Sequence, residues 1–375
     1  MPTDEQPPKK KGGPKIEWDW GTAYDFFISL HVLHKPNKFG LRGAWAAGVR
    51  SRLPEADREL LEEYNAFLHW PLNWVHQLPE PKDAETVLYA LKHLPPKERL
   101  STLFLVPAGM KKRNELVQNV IERESWTQED LAQLETFFGK EKEYKPPYRL
   151  EKMLDFWANT EEIGQKYLKA LQSYHEVFFA EEEKRIQPKL EVALENAKKS
   201  AKQQPLSDLL EQLFQGLRFV ELAEFEKLIL APSYWSTPIV IYSDVDKNSR
   251  ILTFGARPAE DSLVPGEVIP DAVLQALKAL SDPTRLRILR YLAHENLTPA
   301  ELSRRLRLRA PTVTHHLLVL RLAGLVNYTL EKKNERQYSS RLETVAATFK
   351  ALKSFLEKTS PELDANEILE SKSGD

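Results

Sequence analysis

Cysteine is missing altogether from the 375 residues. That excludes a disulfide scaffold and any thiolate metal site, and it fits a cytoplasmic protein, which is the expected location. Long apolar runs are missing as well. No stretch approaches the roughly 18 residues of a membrane span, and the polar, basic opening from Met1 to Lys15 has no apolar core for a signal peptide. No membrane partner is expected. Also absent are the short motifs that carry common catalytic chemistry: a glycine-rich phosphate loop, a G-x-S-x-G elbow and H-E-x-x-H. The nine histidines are scattered apart from His31/His34 and His315/His316. His31 and His34 lie one turn apart and have the spacing to share a metal with a carboxylate, but on a segment rich in Phe and Leu they read as packed or surface histidines. Acidic pairs such as Glu62/Glu63 and Glu161/Glu162 decorate solvated helices. The expectation is no enzyme, no catalytic residue, no metal site and no cofactor.

What is present is ordinary globular composition, 42% hydrophobic and 29% charged, long enough for two or three domains. From about Gly21 to Gln215 the pattern is helical, in amphipathic pieces broken at Pro36, Pro54, Pro71, Pro81, Pro95, Pro146, Pro188 and Pro205. Tyr24, Phe27, Leu30 and Leu33 make one stripe, and Leu60, Leu61, Tyr64 and Leu68 another. Leu154, Phe156 and Trp157 mark a third segment, followed by Tyr167, Leu168 and Leu171. All eight tryptophans, Trp18 to Trp235, precede Asp271. Such aromatics serve either as core or as the lining of an organic-ligand pocket, and core is the commoner use.

A β-like passage follows. Pro238–Tyr242 and Arg250–Phe254 flank the polar run Asp244–Ser249, the pattern of a hairpin. Asp244, Asp246 and Asn248 have the opening spacing of a calcium loop. The glycine at its sixth position and the distal glutamate are lacking, since Ser249 and Gly255 stand there, so an ordinary turn is expected. Pro258 to Pro270 has linker character.

The richest stretch begins at Asp271. Asp282 caps a segment opening with Pro283, whose missing N–H costs nothing in a first turn, and Leu286, Ile288, Leu289 and Leu292 supply its apolar stripe. Thr298, Pro299 and Glu301 form a capping box with proline at the first helical position, and Leu302 and Leu306 face the core. A third helix starts near Pro311. On a 100° wheel Val313, Leu317 and Leu320 face inward, whereas Pro311, His315, Leu318 and Leu322 point outward. Gly324 stops that helix, Val326, Tyr328 and Leu330 alternate, Lys332-Lys333-Asn334 makes a basic tip, and Arg336 and Tyr338 lie on the return strand. Helix, helix, tight turn, helix and basic hairpin is the layout of a winged DNA-binding domain.

Charge agrees. Residues 271–358 carry 16 Lys+Arg against 8 Asp+Glu, a balance of +8, while the whole chain is at -2, leaving -10 elsewhere. Arginines on amphipathic helices are often only solvated. Arg304, Arg305, Arg307 and Arg309, however, cluster at the turn before the third helix, where a phosphate backbone would lie.

With DPTRLRIL, the PTVTHHL run and AGLV all in register, residues from about Ala272 to Lys358 resemble the ArsR-type winged helix-turn-helix repressors. The resemblance covers about a quarter of the chain. It implies a homodimeric transcriptional repressor that binds an operator in double-stranded DNA and leaves it when an effector binds. It places DNA contacts at Arg307, Arg309, Ala310, Thr312, Thr314, His315, His316 and Arg321, and at Lys332, Lys333 and Arg336 of the wing. Arg309 and Ala310 stand where the family often has serine and glutamine, Leu318 where lysine is usual, and Leu322 where an acidic or polar residue is common, so base readout differs. Arg309 is open to two uses, a bidentate fork on guanine or a phosphate grip. His316, nearer the core face, reads as partly structural. Leu318 and Leu322 are apolar, outward and one turn apart, suited to packing on the N-terminal region.

Many relatives of this type sense metals through cysteines or through histidine and carboxylate pairs on the last helix. The run from Thr344 to Leu356 has neither. It offers instead Val345, Phe349, Leu352 and Leu356, a stripe suited to pair with Val273, Leu274, Leu277 and Leu280 across a dimer, or to pack within one chain. The N-terminal half resembles that of a subgroup whose long helical regions have no assigned ligand.

The resulting expectation is a mainly α protein: an N-terminal all-α domain, a short β-hairpin connector and a C-terminal winged helix-turn-helix domain. Its divisions are a disordered basic tail (1–15), a helical sensor region (16–235), hairpin and linker (236–270), the DNA-binding and dimerisation domain (271–358) and an acidic tail (359–375). Two functions remain open: a regulator gated by a non-metal signal or small-molecule effector, and an enzyme or partner-binding protein that uses its winged domain as an interaction module.

Overall fold

The computed structural model describes residues 13–65, 68–105, 111–139, 150–266, 269–330 and 336–357. The chain is mainly helical and divides into two compact units, Met1–Phe214 with Val220–Arg257, and Gln215–Phe219 with Pro258–Asp375.

The first unit is not all-α. It contains a four-stranded sheet in the order β1-β3-β5-β4, built from β1 (Lys15–Trp18), β3 (Lys227–Ser233), β4 (Tyr242–Asp244) and β5 (Ser249–Gly255). The three strands β1, β3 and β5 run parallel, and β4 is antiparallel to β5. The hairpin read from the sequence therefore exists only as β4 and β5, with Tyr242 opposite Leu252. It is no connector, because β5 also pairs with β3 along its whole length, Lys227 opposite Ser249 through Ser233 opposite Gly255. Burial explains why β3 was missed and β5 was read only as a hairpin strand: both are covered on both faces, so neither shows the in-and-out alternation of a half-buried strand. At the tip, Asn248 N–H donates to Asp246 Oδ1 at 2.7 Å, and Arg250 pairs with Asp244, so the calcium-like spacing forms an ordinary turn.

Beside the sheet runs the helix Thr22–His34, buried on nearly every face, as its almost unbroken apolar sequence requires. Its Asp25 is fully buried and accepts from Ser233 Oγ at 2.7 Å, Tyr234 N–H at 2.8 Å and Trp235 N–H at 2.9 Å. The carboxylate thus holds the end of β3 against this helix. Desolvation pushes Asp25 up to about 6, with the three donors opposing. Glu182, on the long helix Ala180–Ala201, accepts from Trp235 Nε1 at 2.8 Å and from Arg185. At the end of β1, Asp19 gathers Lys82 Nζ at 2.6 Å, Tyr24 Oη at 2.7 Å and His76 Nδ1. Asp19 and Glu182 are thus paired with the cations Lys82 and Arg185, whereas Asp25 is held by neutral donors alone.

Among its described residues the second unit holds five helices, Asp271–Leu280, Pro283–Leu292, Pro299–Leu306, Ala310–Leu322 and Leu342–Glu357, and a sheet of order β2-β6-β7. Here β2 is Leu217–Phe219, β6 is Val326–Leu330 and β7 is Arg336–Ser340. Its core joins Ile288, Leu289, Leu292, Leu302, Leu306, Val313, Leu317, Leu320, Leu325 and Val326. Leu286, read as part of that stripe, is exposed instead. The helix Asp271–Leu280 packs against Leu342–Glu357. Among the described residues no helix is long and apolar enough to cross a membrane.

Candidate nucleic-acid interface

The helix Pro299–Leu306 is fixed at its start by reciprocal capping. Thr298 Oγ1 accepts from Glu301 N–H, while the Glu301 carboxylate accepts the Thr298 N–H at 2.8 Å. At its far end Arg307 adopts φ 56°, ψ 42°, a left-handed cap whose N–H returns to Ser303 O. The Leu308 N–H also reaches Ser303 O, at 3.1 Å, and Ser303 Oγ donates to Leu308 O. This turn sends the chain into Ala310–Leu322 with Arg309 at the capping position and Pro311 in the first turn.

That helix has two unlike faces. Val313, Leu317 and Leu320 are fully buried. Arg309, Ala310, Thr312, Thr314 and His315 are exposed, as is Arg307 at the turn. Of the residues assigned to DNA from the sequence, these six are exposed. Leu318 is exposed as well, and Leu322 is half-buried.

Other assigned residues stand differently. His316 keeps only 14% of its side-chain surface and points its Nδ1 toward Asp282 Oδ1, 4.0 Å away. At the foot of the helix Pro283–Leu292, desolvation lowers its pKa while Asp282 opposes. Arg321 stacks its guanidinium 4.7 Å above the Tyr328 ring and is half-buried, joining the third helix to the wing. Arg305, part of the arginine cluster, forms a bidentate pair with Glu295. Arg304, Arg307 and Arg309 remain exposed. A wheel gives a side chain's direction from its own axis. It does not show the neighbours that the tertiary fold places there.

Gly324 ends the third helix at φ 68°. In the wing Tyr328 opposes Tyr338, and Leu330 opposes the exposed Arg336. Lys332 and Lys333 fall outside the described residues. The sequence reading missed β2, which lies parallel to β6 with Leu217 opposite Tyr328, Arg218 opposite Thr329 and Phe219 opposite Leu330. Three residues are too few to show a period, so nothing in the pattern marked it.

The stripe assigned to a dimer lies on the helices Asp271–Leu280 and Leu342–Glu357. Leu274, Leu277, Val345 and Leu352 are half-buried, while Phe349 and Leu356 are 55% and 71% exposed. In the first unit His31 and His34 do not converge. His31 lies against Trp70 with ring centres 4.6 Å apart and planes tilted by 54°, and His34 Nδ1 bonds Leu30 O. Among the described residues no three His, Asp or Glu side chains are grouped to hold a metal. A cavity beside His31, lined by Phe27, Leu61, Asn65, Trp70 and Tyr167, has about 20 Å³, room for about one water molecule.

A capped helix, a left-handed turn, a helix with one polar exposed face and a hairpin define a winged helix-turn-helix domain. Residues 282–328 match the family model described as bacterial regulatory protein, arsR family. The chain thus carries an arsR-family helix-turn-helix domain, which points to a DNA-binding regulator rather than an enzyme. Among solved structures, HlyU from Vibrio cholerae N16961 is similar at 31% identity, over 23% of this chain and 94% of that chain, with a TM-score of 0.19. No curated protein matches the chain.

Proposed function

We propose that the chain is a transcriptional repressor that binds an operator in double-stranded DNA as a two-fold homodimer. A non-metal signal or small-molecule effector acting on the first unit releases it. The observation that carries the reading is the third helix of the second unit. Its back is sealed by Val313, Leu317 and Leu320, and its front presents Arg309, Thr312, Thr314 and His315 to solvent. A helix of that kind, seated behind a fixed turn, fits the major groove, with base edges met by the polar row and phosphates by Arg307 and the wing cations. Arg309 at the capping position suits a phosphate grip best. His316 and Arg321 support the helix from behind.

The exposed Phe349 and Leu356 continue the half-buried Leu274, Leu277, Val345 and Leu352, and a two-fold partner would cover them. Two recognition helices related by a dyad require half-sites about one or two helical turns apart on one face of the duplex. Sedimentation at micromolar concentration should show a dimer, and a monomer would contradict that part. The DNA reading is tested by titrating the chain against its selected duplex and against random DNA across a salt series. Tight binding whose logarithm falls linearly with log salt is expected. Equal, weak affinity for both duplexes would favour an interaction module.

A further inference from the structure

The wing contains a strand that a two-stranded wing would not need. Residues 217–219 leave the helical part of the chain after the helix Leu206–Leu213, pair with β6, and return at Val220 to the first unit. The strand β6 is thereby central, with β7 on one edge and β2 on the other. The Tyr328 N–H donates to Gly216 O at 2.9 Å. Arg341 then ties the segment to the recognition helix: its Nη1 donates to Gln215 O at 2.8 Å and to Gly324 O at 3.4 Å. Gly324 is the residue that ends that helix.

Gly216 makes this docking possible. Its φ is +90°, and a Cβ there would stand 2.6 Å from Asn327 Oδ1 and 2.8 Å from Arg341 Cδ. Any side chain would be strained in backbone and would push on both partners. The segment is therefore built to fit against β6, and it is covalently continuous at both ends with the unit that carries most of the helices.

We propose that residues 215–219 are a coupling strand, lent to the wing by the N-terminal part of the chain, whose seating on β6 holds the wing and the end of the recognition helix in the DNA-binding arrangement. The inference rests on the DNA-binding reading above. A two-stranded hairpin alone is marginal, whereas a strand paired on both edges is held more firmly in place. Seating or releasing five residues is then enough to change the DNA surface, with no ligand near the DNA.

The test uses the full chain and a labelled random-sequence duplex of about 30 base pairs at low salt. Gly216→Val should speed hydrogen exchange at the Tyr328 amide and weaken duplex binding by about tenfold or more. Because the chain has no cysteine, Arg218→Cys with Thr329→Cys, opposite each other in register, can form one disulfide only. Added to Gly216→Val, that pair should restore slow exchange and affinity when oxidised and lose both when reduced. Fast exchange at Tyr328 with affinity within about twofold of the unaltered chain would overturn the proposal, and so would unchanged exchange. If Gly216→Val does not fold, the double-cysteine chain alone decides: tighter binding when oxidised supports the coupling, and equal binding overturns it. Failure of the unaltered chain to bind the duplex at all would overturn the DNA-binding reading itself, and the coupling role with it.

Discussion

Replacing Arg307 by asparagine separates the two things this residue does. Its backbone sits at φ 56°, ψ 42°, a region where an L side chain costs roughly 1–2 kcal/mol because Cβ crowds the following carbonyl. Asparagine tolerates the region better, so Arg307→Asn should recover about 0.5–1 kcal/mol of the second unit's stability. Glycine would relieve more strain but would also loosen the unfolded chain, at a cost of about 0.5–1 kcal/mol, which makes it the poorer probe. The N–H bond to Ser303 O is made by the backbone and survives either change. On DNA the same substitution removes one exposed cation, and the slope of log affinity against log salt should flatten by about 0.9. Because the chain has two units, a single melting midpoint is a poor measure. Native-state exchange at the Leu302 and Leu306 amides together with a salt titration reads both effects. Loss of protection would refute the left-handed turn, and an unchanged slope would refute a phosphate contact.

Leu317, with no exposed surface, should cost about 2–5 kcal/mol on truncation to alanine, read by urea unfolding, whereas His315→Ala should leave stability within about 0.5 kcal/mol. Thr298→Ala removes the capping box and should cost about 1 kcal/mol, with faster exchange in the first turn of Pro299–Leu306. Asp25 predicts a pH effect on the first unit. Its carboxyl is raised in the fold to about 6, so its contribution is fully present below about pH 4 and is lost as pH rises through 6. Burial penalises the charged form, and Asp25→Ala should remove that pH dependence from the unit's unfolding curve. Alanine at Lys332, Lys333 and Arg336 together should flatten the salt slope by up to about 3, and an unaltered slope would mean the wing does not reach DNA.

The second unit was legible because its signals are local. A capping box, a proline in the first turn, a stripe at helical spacing and a glycine at the helix end are all set within four residues. Thr298, Glu301, Val313, Leu317, Leu320 and Gly324 take the places those signals imply. The first unit's sheet was not legible. β1 and β3 pair Lys15 with Lys227, a contact across the whole helical region that no window can register. β3, covered on both faces, lacks the alternation by which a strand is recognised, whereas β5 was read as a hairpin strand and only its pairing with β3 was missed. The same limit applied within the interface. Arg305 and Arg321 were read as cations facing DNA and His316 as a DNA contact that is partly structural, but Glu295, Tyr328 and Asp282 lie against them from other elements, and only tertiary placement reveals those neighbours.

The central claim is that the exposed row of the third helix reads DNA sequence. The direct measurement is the ratio of affinities for the selected duplex and for random DNA, taken for the unaltered chain and for Arg309→Ala, Thr314→Ala and His315→Ala separately and together. Each base-contacting residue should cost about 1–3 kcal/mol on the selected site and much less on random sequence, compressing the ratio. If all three alanines leave cognate and random affinities in their original proportion, this helix does not read sequence, and the account is contradicted at its centre.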